Sequence, residues 1–209
     1  MSETPRPAVR ALLAYLPAED CTVNLTGDYT FLDPGYYASQ DQQAQGTPVH
    51  PTCREALDAY VVPVLMERAR FARIPVPDYV ISNDYFEPPA LVYPINPFMT
   101  KSAEVWRPGR QDDISKSLTR NYTYAICCQK LPAGAKVVEF RAVMGWTLKP
   151  RHRPLAEAVW RNLRIPLARV VAIRPTEGDL LLSAIRPLPA RELTAREIRH
   201  LDGILTWPK

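Results

Sequence analysis

The stretch PLAEAVWRNLRIPLARVVAIRPTEGDLLLSAIRPL, residues 154–188, decides the fold class. Pro154, Leu155, Ala156, Val159, Trp160 and Leu163 recur at helical spacing, and a proline suits the first helical turn because the donor it lacks has no partner there. Residues 166–173 and 180–185 then read as two strands around the turn Glu177-Gly178-Asp179. A helix followed by two turn-linked strands breaks the strand–helix–strand alternation of a parallel sheet, so the expected class is α+β. Downstream, Thr194-Ala195-Arg196-Glu197 has capping-box spacing and opens a helix with Ile198, Leu201 and Leu205 on one face.

Working back towards the N-terminus, residues 122–129 and 137–146 are rich in β-branched and aromatic residues and flank Leu131-Pro132-Ala133-Gly134, which predicts a central hairpin. Residues 98–119 are polar around Trp106-Arg107-Pro108-Gly109-Arg110 and read as a flexible loop. Residues 77–86 and 91–93 read as extended pieces. A second capping box, Thr52-Cys53-Arg54-Glu55, starts a helix that Pro63 should kink or divide. Asp33-Pro34 starts another, which Gly46 stops, and Cys21-Thr22-Val23-Asn24-Leu25 is the first strand. The expectation is a frayed tail over residues 1–10, then one domain over 11–209 with a mixed or antiparallel sheet and about four helices.

Composition sets the outer limits. A chain of 209 residues, 46% hydrophobic and 23% charged, can bury one substantial core. Its first residues show no basic start followed by an apolar run, and no window reaches the roughly 18 apolar residues of a membrane span, so no membrane role and a cytoplasmic location are expected. Cys21, Cys53, Cys127 and Cys128 lack the spacing of a zinc site and the density of a disulfide scaffold, which suits reduced thiols. His50, His152 and His200 stand far apart, so neither a metal nor a cofactor is expected. The net charge of +4 spreads 26 basic residues among 22 acidic ones, which argues against nucleic-acid binding. The densest basic group, Lys149, Arg151, His152, Arg153, Arg161, Arg164, Arg169 and Arg174, reads as a solvated face with ion pairs or, alternatively, as an anion site.

Candidate chemistry centres on the predicted hairpin. Lys101, Arg120, Asn121, Tyr122 and Arg141 would offer cationic and polar donors to an anionic small molecule, with Tyr124 or Cys128 as the groups for any chemistry. Cys127 and Cys128, adjacent on a strand, should face opposite sides, one in the core and one near the surface. Tyr36 and Tyr37, with Tyr29, form an aromatic turn that could line a binding surface or the core. An exposed hairpin edge would also permit a homodimer.

Two stretches carry a family resemblance. The first is Val23-Asn24-Leu25, Tyr29, Gly35-Tyr36-Tyr37-Ala38-Ser39, Ala44-Gln45-Gly46 and Pro48; the second is Arg153-Pro154-Leu155-Ala156, Trp160, Ile165-Pro166-Leu167, Ile185-Arg186-Pro187-Leu188 and Leu193. Together they resemble the RimK-like ATP-grasp N-terminal (RLAN) domain, a bacterial-type family usually found ahead of an ATP-grasp ligase, with residues of about 98–138 the least similar. The resemblance implies a stand-alone accessory domain in peptide or amide-bond biosynthesis, with an ATP-grasp ligase as partner in trans and an amino-acid or peptide ligand. The alternative is a small biosynthetic enzyme holding an amino-acid-derived anion through the hairpin between Arg120 and Arg141. In a rival reading, Val92-Tyr93-Pro94, Lys101, Gln129 and Glu139-Phe140-Arg141 imitate the strands of a cut-down ATP-grasp fold, although Glu157, Glu177 and Asp179 are unsuited to holding magnesium.

Overall fold

The computed structural model describes residues 12–96, 99 and 101–208. In chain order the elements begin with β1 (Leu13–Leu16), β2 (Cys21–Asn24), α1 (Pro34–Ala44), β3 (Val49–His50), α2 (Cys53–Tyr60) and α3 (Val62–Phe71). They continue with β4 (Tyr79–Ser82), β5 (Ala90–Pro94), β6 (Ala103–Val105), α4 (Gln111–Leu118), β7 (Ile126–Lys130) and β8 (Lys136–Val143). The last third holds α5 (Arg153–Leu163), β9 (Leu167–Arg174), β10 (Leu181–Pro187) and α6 (Ala195–Asp202). The class is α+β as expected, with six α-helices among the described residues instead of about four. The tail expected over residues 1–10 lies outside them.

Within the expected 11–209 domain the chain packs as two compact units. Unit 1 takes its described residues from Met1–Leu57, Phe140–Val170 and Arg186–Lys209; unit 2 comprises Asp58–Glu139 and Val171–Ile185. The unit boundaries fall inside α2, β8, β9 and β10. The sheets have the orders β1-β2-β3, β4-β7-β5-β6 and β10-β9-β8. β2 pairs antiparallel with β1 and parallel with β3, and β7 pairs antiparallel with both β4 and β5.

This topology corrects the predicted hairpin. β7 and β8 follow one another around the Pro132–Gly134 turn but enter different sheets, because β7 is inserted between β4 and β5. β7 is therefore an interior strand, while β8 lies at the edge of its own sheet. Cys127 and Cys128 are consequently both buried, at 0% and 4% exposure, instead of one in the core and one near the surface. The polar stretch read as a loop contains β6 and α4, whose first turn carries Asp112 and Asp113 at the positive end of the helix dipole. β1, absent from the sequence reading, covers one edge of β2.

Most of the local signals operate as read. Pro63 sits in the first turn of α3 and separates it from α2. In the first capping box the Thr52 N–H donates to Glu55 Oε2 (2.7 Å) and the Glu55 N–H to Thr52 Oγ1 (3.1 Å). Thr194 and Glu197 form the same reciprocal pair at α6. The core of unit 1 gathers Val23, Leu25, Leu167, Leu188 and Leu201, all fully buried, and that of unit 2 gathers Phe86, Val92, Val105, Leu118 and Ile126.

Candidate functional site

The residues chosen from sequence are divided between the two units. Arg120, Asn121 and Tyr122 link α4 to β7 in three successive left-handed conformations, with φ of 53°, 55° and 62°. This turn carries Tyr122 over α4, where its hydroxyl donates to Asp112 (2.5 Å), a bond that raises the phenol's pKa. Lys101, Arg120 and Tyr124 are exposed in unit 2. Arg141 belongs to unit 1, where Nη2 donates to Glu197 Oε2 (2.8 Å) and to the Glu192 carbonyl. Its charge therefore ties β8 to α6 and is already neutralised. Tyr36 and Tyr37 stand on α1; Tyr36 meets Phe31 edge-on at 5.4 Å, while Tyr37 is exposed.

Burial pushes the Cys128 thiol up to about 12, so it stays protonated and non-nucleophilic at neutral pH. Cys127 is held at about 12 by burial and by its neighbour Cys128. Neither thiol is suited to catalysis.

Unit 2 also has a buried polar centre. Ser183 Oγ donates to Gln129 Oε1 (2.5 Å), while Gln129 Nε2 donates to the Ser183 carbonyl (2.8 Å) and approaches Met66 Sδ (3.6 Å). Because the Ser183 proton is directed to Gln129, the Tyr93 hydroxyl donates to Ser183 Oγ (2.9 Å). An amide, a hydroxyl and a phenol thus satisfy one another at full or near-full burial, with no charge among them. The strands β5, β7 and β10 are joined by neutral hydrogen bonds in a place where an open site would need unpaired donors.

The open site lies in unit 1. β8 ends in the tight turn Val143-Met144-Gly145-Trp146, with φ of 45° at Met144 and 81° at Gly145, and the Val143 and Trp146 backbones exchange both hydrogen bonds (2.8 and 2.9 Å). Two central residues in the left-handed region are the signature of a type I′ turn, and the turn aims the indole of Trp146 at α6. There Trp146 stacks on His200, with ring centroids 5.6 Å apart and an interplanar angle of 21°. The capping box starts α6 at Ala195, so Arg196, Arg199 and His200 share one face of the helix. These four residues line an open depression of about 410 Å³.

The electrostatics of this depression are one-sided. Glu197, the acidic residue between the two arginines, points away and is engaged by Thr194 and Arg141. Among the described residues neither Arg196 nor Arg199 forms an ion pair, and Arg199 Nε donates only to the Ala195 carbonyl (3.3 Å). Burial, with Arg153 in support, lowers the pKa of His200 against the opposing bond to the Met144 carbonyl. His200 is therefore neutral at pH 7, with Nε2 unpartnered among the described residues. Two guanidinium forks beside a flat aromatic platform suit a ligand that carries carboxylate or phosphate oxygens and a planar or apolar part. The sequence marked this helix by its capping box but offered no means of pairing it with Trp146.

The basic group around residues 149–174 is partly consumed within unit 1. Arg164 pairs with Glu19 (2.8 Å), Arg169 pairs with Glu192, and His152 is buried against the Phe140 ring at 4.4 Å.

The family motifs have a structural explanation in the same unit. Asn24 is fully buried: its Nδ2 donates to the Gly35 carbonyl (2.7 Å) and to Ser39 Oγ (2.9 Å), and its Oδ1 accepts from the Thr26 N–H and hydroxyl (3.1 and 2.9 Å). A Cβ on Gly35 would lie 1.9 Å from the Asp28 carbonyl oxygen, so no larger residue fits. Tyr29 is buried and donates to the Asn24 carbonyl (2.7 Å). The Asn24, Tyr29, Gly35 and Ser39 positions thus lock β2 to the start of α1.

Solved structures of similar fold are ATP-grasp ligases. D-alanine–D-alanine ligase from Helicobacter pylori is 12% identical with a TM-score of 0.59, over 80% of this chain and 67% of that one. A RimK domain ATP-grasp protein from Sphaerobacter thermophilus is 16% identical with a TM-score of 0.52, over 80% and 72%. PsnB, an ATP-grasp ligase solved with precursor peptide PsnA2 and AMPPNP, is 12% identical with a TM-score of 0.50, over 79% and 61%. At such identities the likeness is one of fold, and the chain spans less than two thirds of PsnB. No curated protein matches it in sequence. The sequence model of one family does match residues 17–202, across both units and through both motif stretches, and the chain belongs to that family, the RimK-like ATPgrasp N-terminal domain.

Proposed function

We propose that this protein is an accessory binding domain of an ATP-grasp ligase system that forms peptide or amide bonds, and that it holds an acidic peptide segment in the Trp146–Arg196–Arg199–His200 depression. The observation that carries the reading is the pair of arginines, without ion-pair partners among the described residues, beside a stacked aromatic platform. The neutral Tyr93–Ser183–Gln129 centre supports it from the other unit. Phosphoryl activation of a carboxylate calls for acidic groups that hold magnesium against phosphate oxygens, whereas these residues hydrogen-bond to one another and serve as scaffold. PsnB, of related fold, is a ligase solved with a precursor peptide, which makes a peptide the natural class of ligand. Among the described residues no helix is long and apolar enough to cross a membrane.

The test is a pull-down of the tagged full chain from its native cell extract, beside an Arg196→Ala/Arg199→Ala variant. Recovery of an ATP-grasp ligase in near-equal amount by the wild type, and its loss from the variant, is expected. Recovery of the ligase by both would keep the accessory role and remove the depression as its site; recovery of the chain alone would overturn the reading.

A further inference from the structure

Unit 1 also brings together three metal-ligating side chains that the binding site does not use. Glu19 lies in the β1–β2 turn, Cys21 opens β2 and His50 ends β3. A carboxylate oxygen, the Cys21 sulfur and a ring nitrogen of His50 all lie within 4.8 Å of one another. The parallel register Thr22↔Val49 and Val23↔His50 is what draws these distant parts of the chain together. Cys21 is only 4% exposed, so its sulfur is a fixed wall of the cluster, while Glu19 reaches it from the solvent side.

A second feature concerns the histidine alone. His50 Nδ1 sits 2.9 Å from Glu55 Oε2, and that same oxygen is fixed by the Thr52 N–H (2.7 Å) of the capping box. The carboxylate sets the tautomer, with the proton on Nδ1, and leaves Nε2 as the nitrogen with a free lone pair. A carboxylate behind an imidazole is the usual support of a metal-bound histidine.

We infer that Glu19, Cys21 and His50 form a Zn²⁺ site, with a fourth position open to water or to a partner's side chain. A mixed oxygen, sulfur and nitrogen set suits borderline-soft zinc over calcium or magnesium, which take oxygen alone. Bond lengths of about 2.0–2.3 Å require the ligand atoms to close to roughly 3.5 Å, a movement that the exposed Glu19 and the half-buried His50 supply around the fixed Cys21 sulfur. On binding, the Cys21 thiol releases its proton to solvent. The charges then balance: the Cys21 thiolate and the carboxylates of Glu19 and Glu55 oppose the divalent ion and Arg164, which holds Glu19 Oε2 at 2.8 Å. Arg164 Nη1 also donates to Glu19 Oε1 (3.0 Å), so a metal taken by one oxygen replaces that contact while the other oxygen keeps the pair with Arg164. The proposal departs from the expectation of no metal centre, which rested on the separation of the histidines along the chain.

The experiment is a titration of the chelator-treated, dialysed full chain with Co²⁺, followed by absorption and then displacement with Zn²⁺. A thiolate-to-cobalt charge-transfer band that saturates at one equivalent is expected. Cys21→Ser should abolish that band, Glu19→Gln and His50→Gln should weaken binding by at least about tenfold, and Glu55→Gln, which keeps the capping acceptor, by about 10- to 100-fold. Cys53→Ser should leave the titration unchanged. If Cys21→Ser fails to fold by circular dichroism, the half-buried His50→Gln decides. No band in the wild type, or a band unchanged in His50→Gln, overturns the site, and neither outcome bears on the ligase partnership.

Discussion

At the residue scale, the site turns on the state of His200. Burial and Arg153 lower its pKa from the ordinary 6.5, so the unfolded chain takes up its proton before the folded one does. Its contribution to stability is therefore complete above 6.5 and is lost as pH falls from there through the folded value. Urea midpoints measured from about pH 7 down to pH 5 should decline in the wild type and decline less in His200→Gln. An identical decline in both would show that His200 stays as accessible to protons folded as unfolded. The indole of Trp146 reports the same event directly, since protonating its stacked partner changes the fluorescence. None of this was visible in the sequence, where His200 was one of three histidines far apart along the chain.

At the scale of elements, α6 carries the proposed site, and it depends on a residue that the sequence reading assigned to ligand binding. Arg141 on β8 was expected to hold an anion; it holds Glu197 of α6 instead. Glu197 is 5% exposed, so truncating its partner leaves a buried carboxylate without its counter-charge, held by the Thr194 N–H and hydroxyl. Arg141→Ala should cost about 3–5 kcal/mol in chemical denaturation, the usual penalty for breaking one side of a buried ion pair. A loss of ligand binding with stability unchanged would restore the original assignment. The hairpin expectation failed for a related reason. β7 and β8 each have the composition of a strand, but composition does not say which neighbour a strand will hydrogen-bond, and β7 finds better cover between β4 and β5. Capping boxes and the proline break were legible because they act over three or four residues.

At the scale of the whole molecule, the proposed partnership rests on charge of one sign at an open surface, and that makes it sensitive to salt. Screening shortens the reach of charges from about 10 Å at 0.1 M to about 3 Å at 1 M. Retention of the partner in the pull-down should therefore fall steeply as sodium chloride rises over that range. Retention that is indifferent to salt would point to an apolar interface away from Arg196 and Arg199. The fold of an ATP-grasp ligase is present over most of the chain, while its buried polar centre in unit 2 is neutral and closed.

By itself the sequence determined the α+β class, the capped and proline-bounded helices, the strands of the last third and the family. Each of these depends on local spacing or on a motif whose residues touch one another, as Asn24, Gly35 and Ser39 do. Only the tertiary structure decided the pairing of strands, the pairing of Arg141 with Glu197, the burial of Cys128, and the meeting of Trp146 with α6 and of Cys21 with His50. Those outcomes depend on contacts between distant parts of the chain, where the choice of partner follows from burial and hydrogen-bond satisfaction summed over a whole unit and leaves no mark at either position alone.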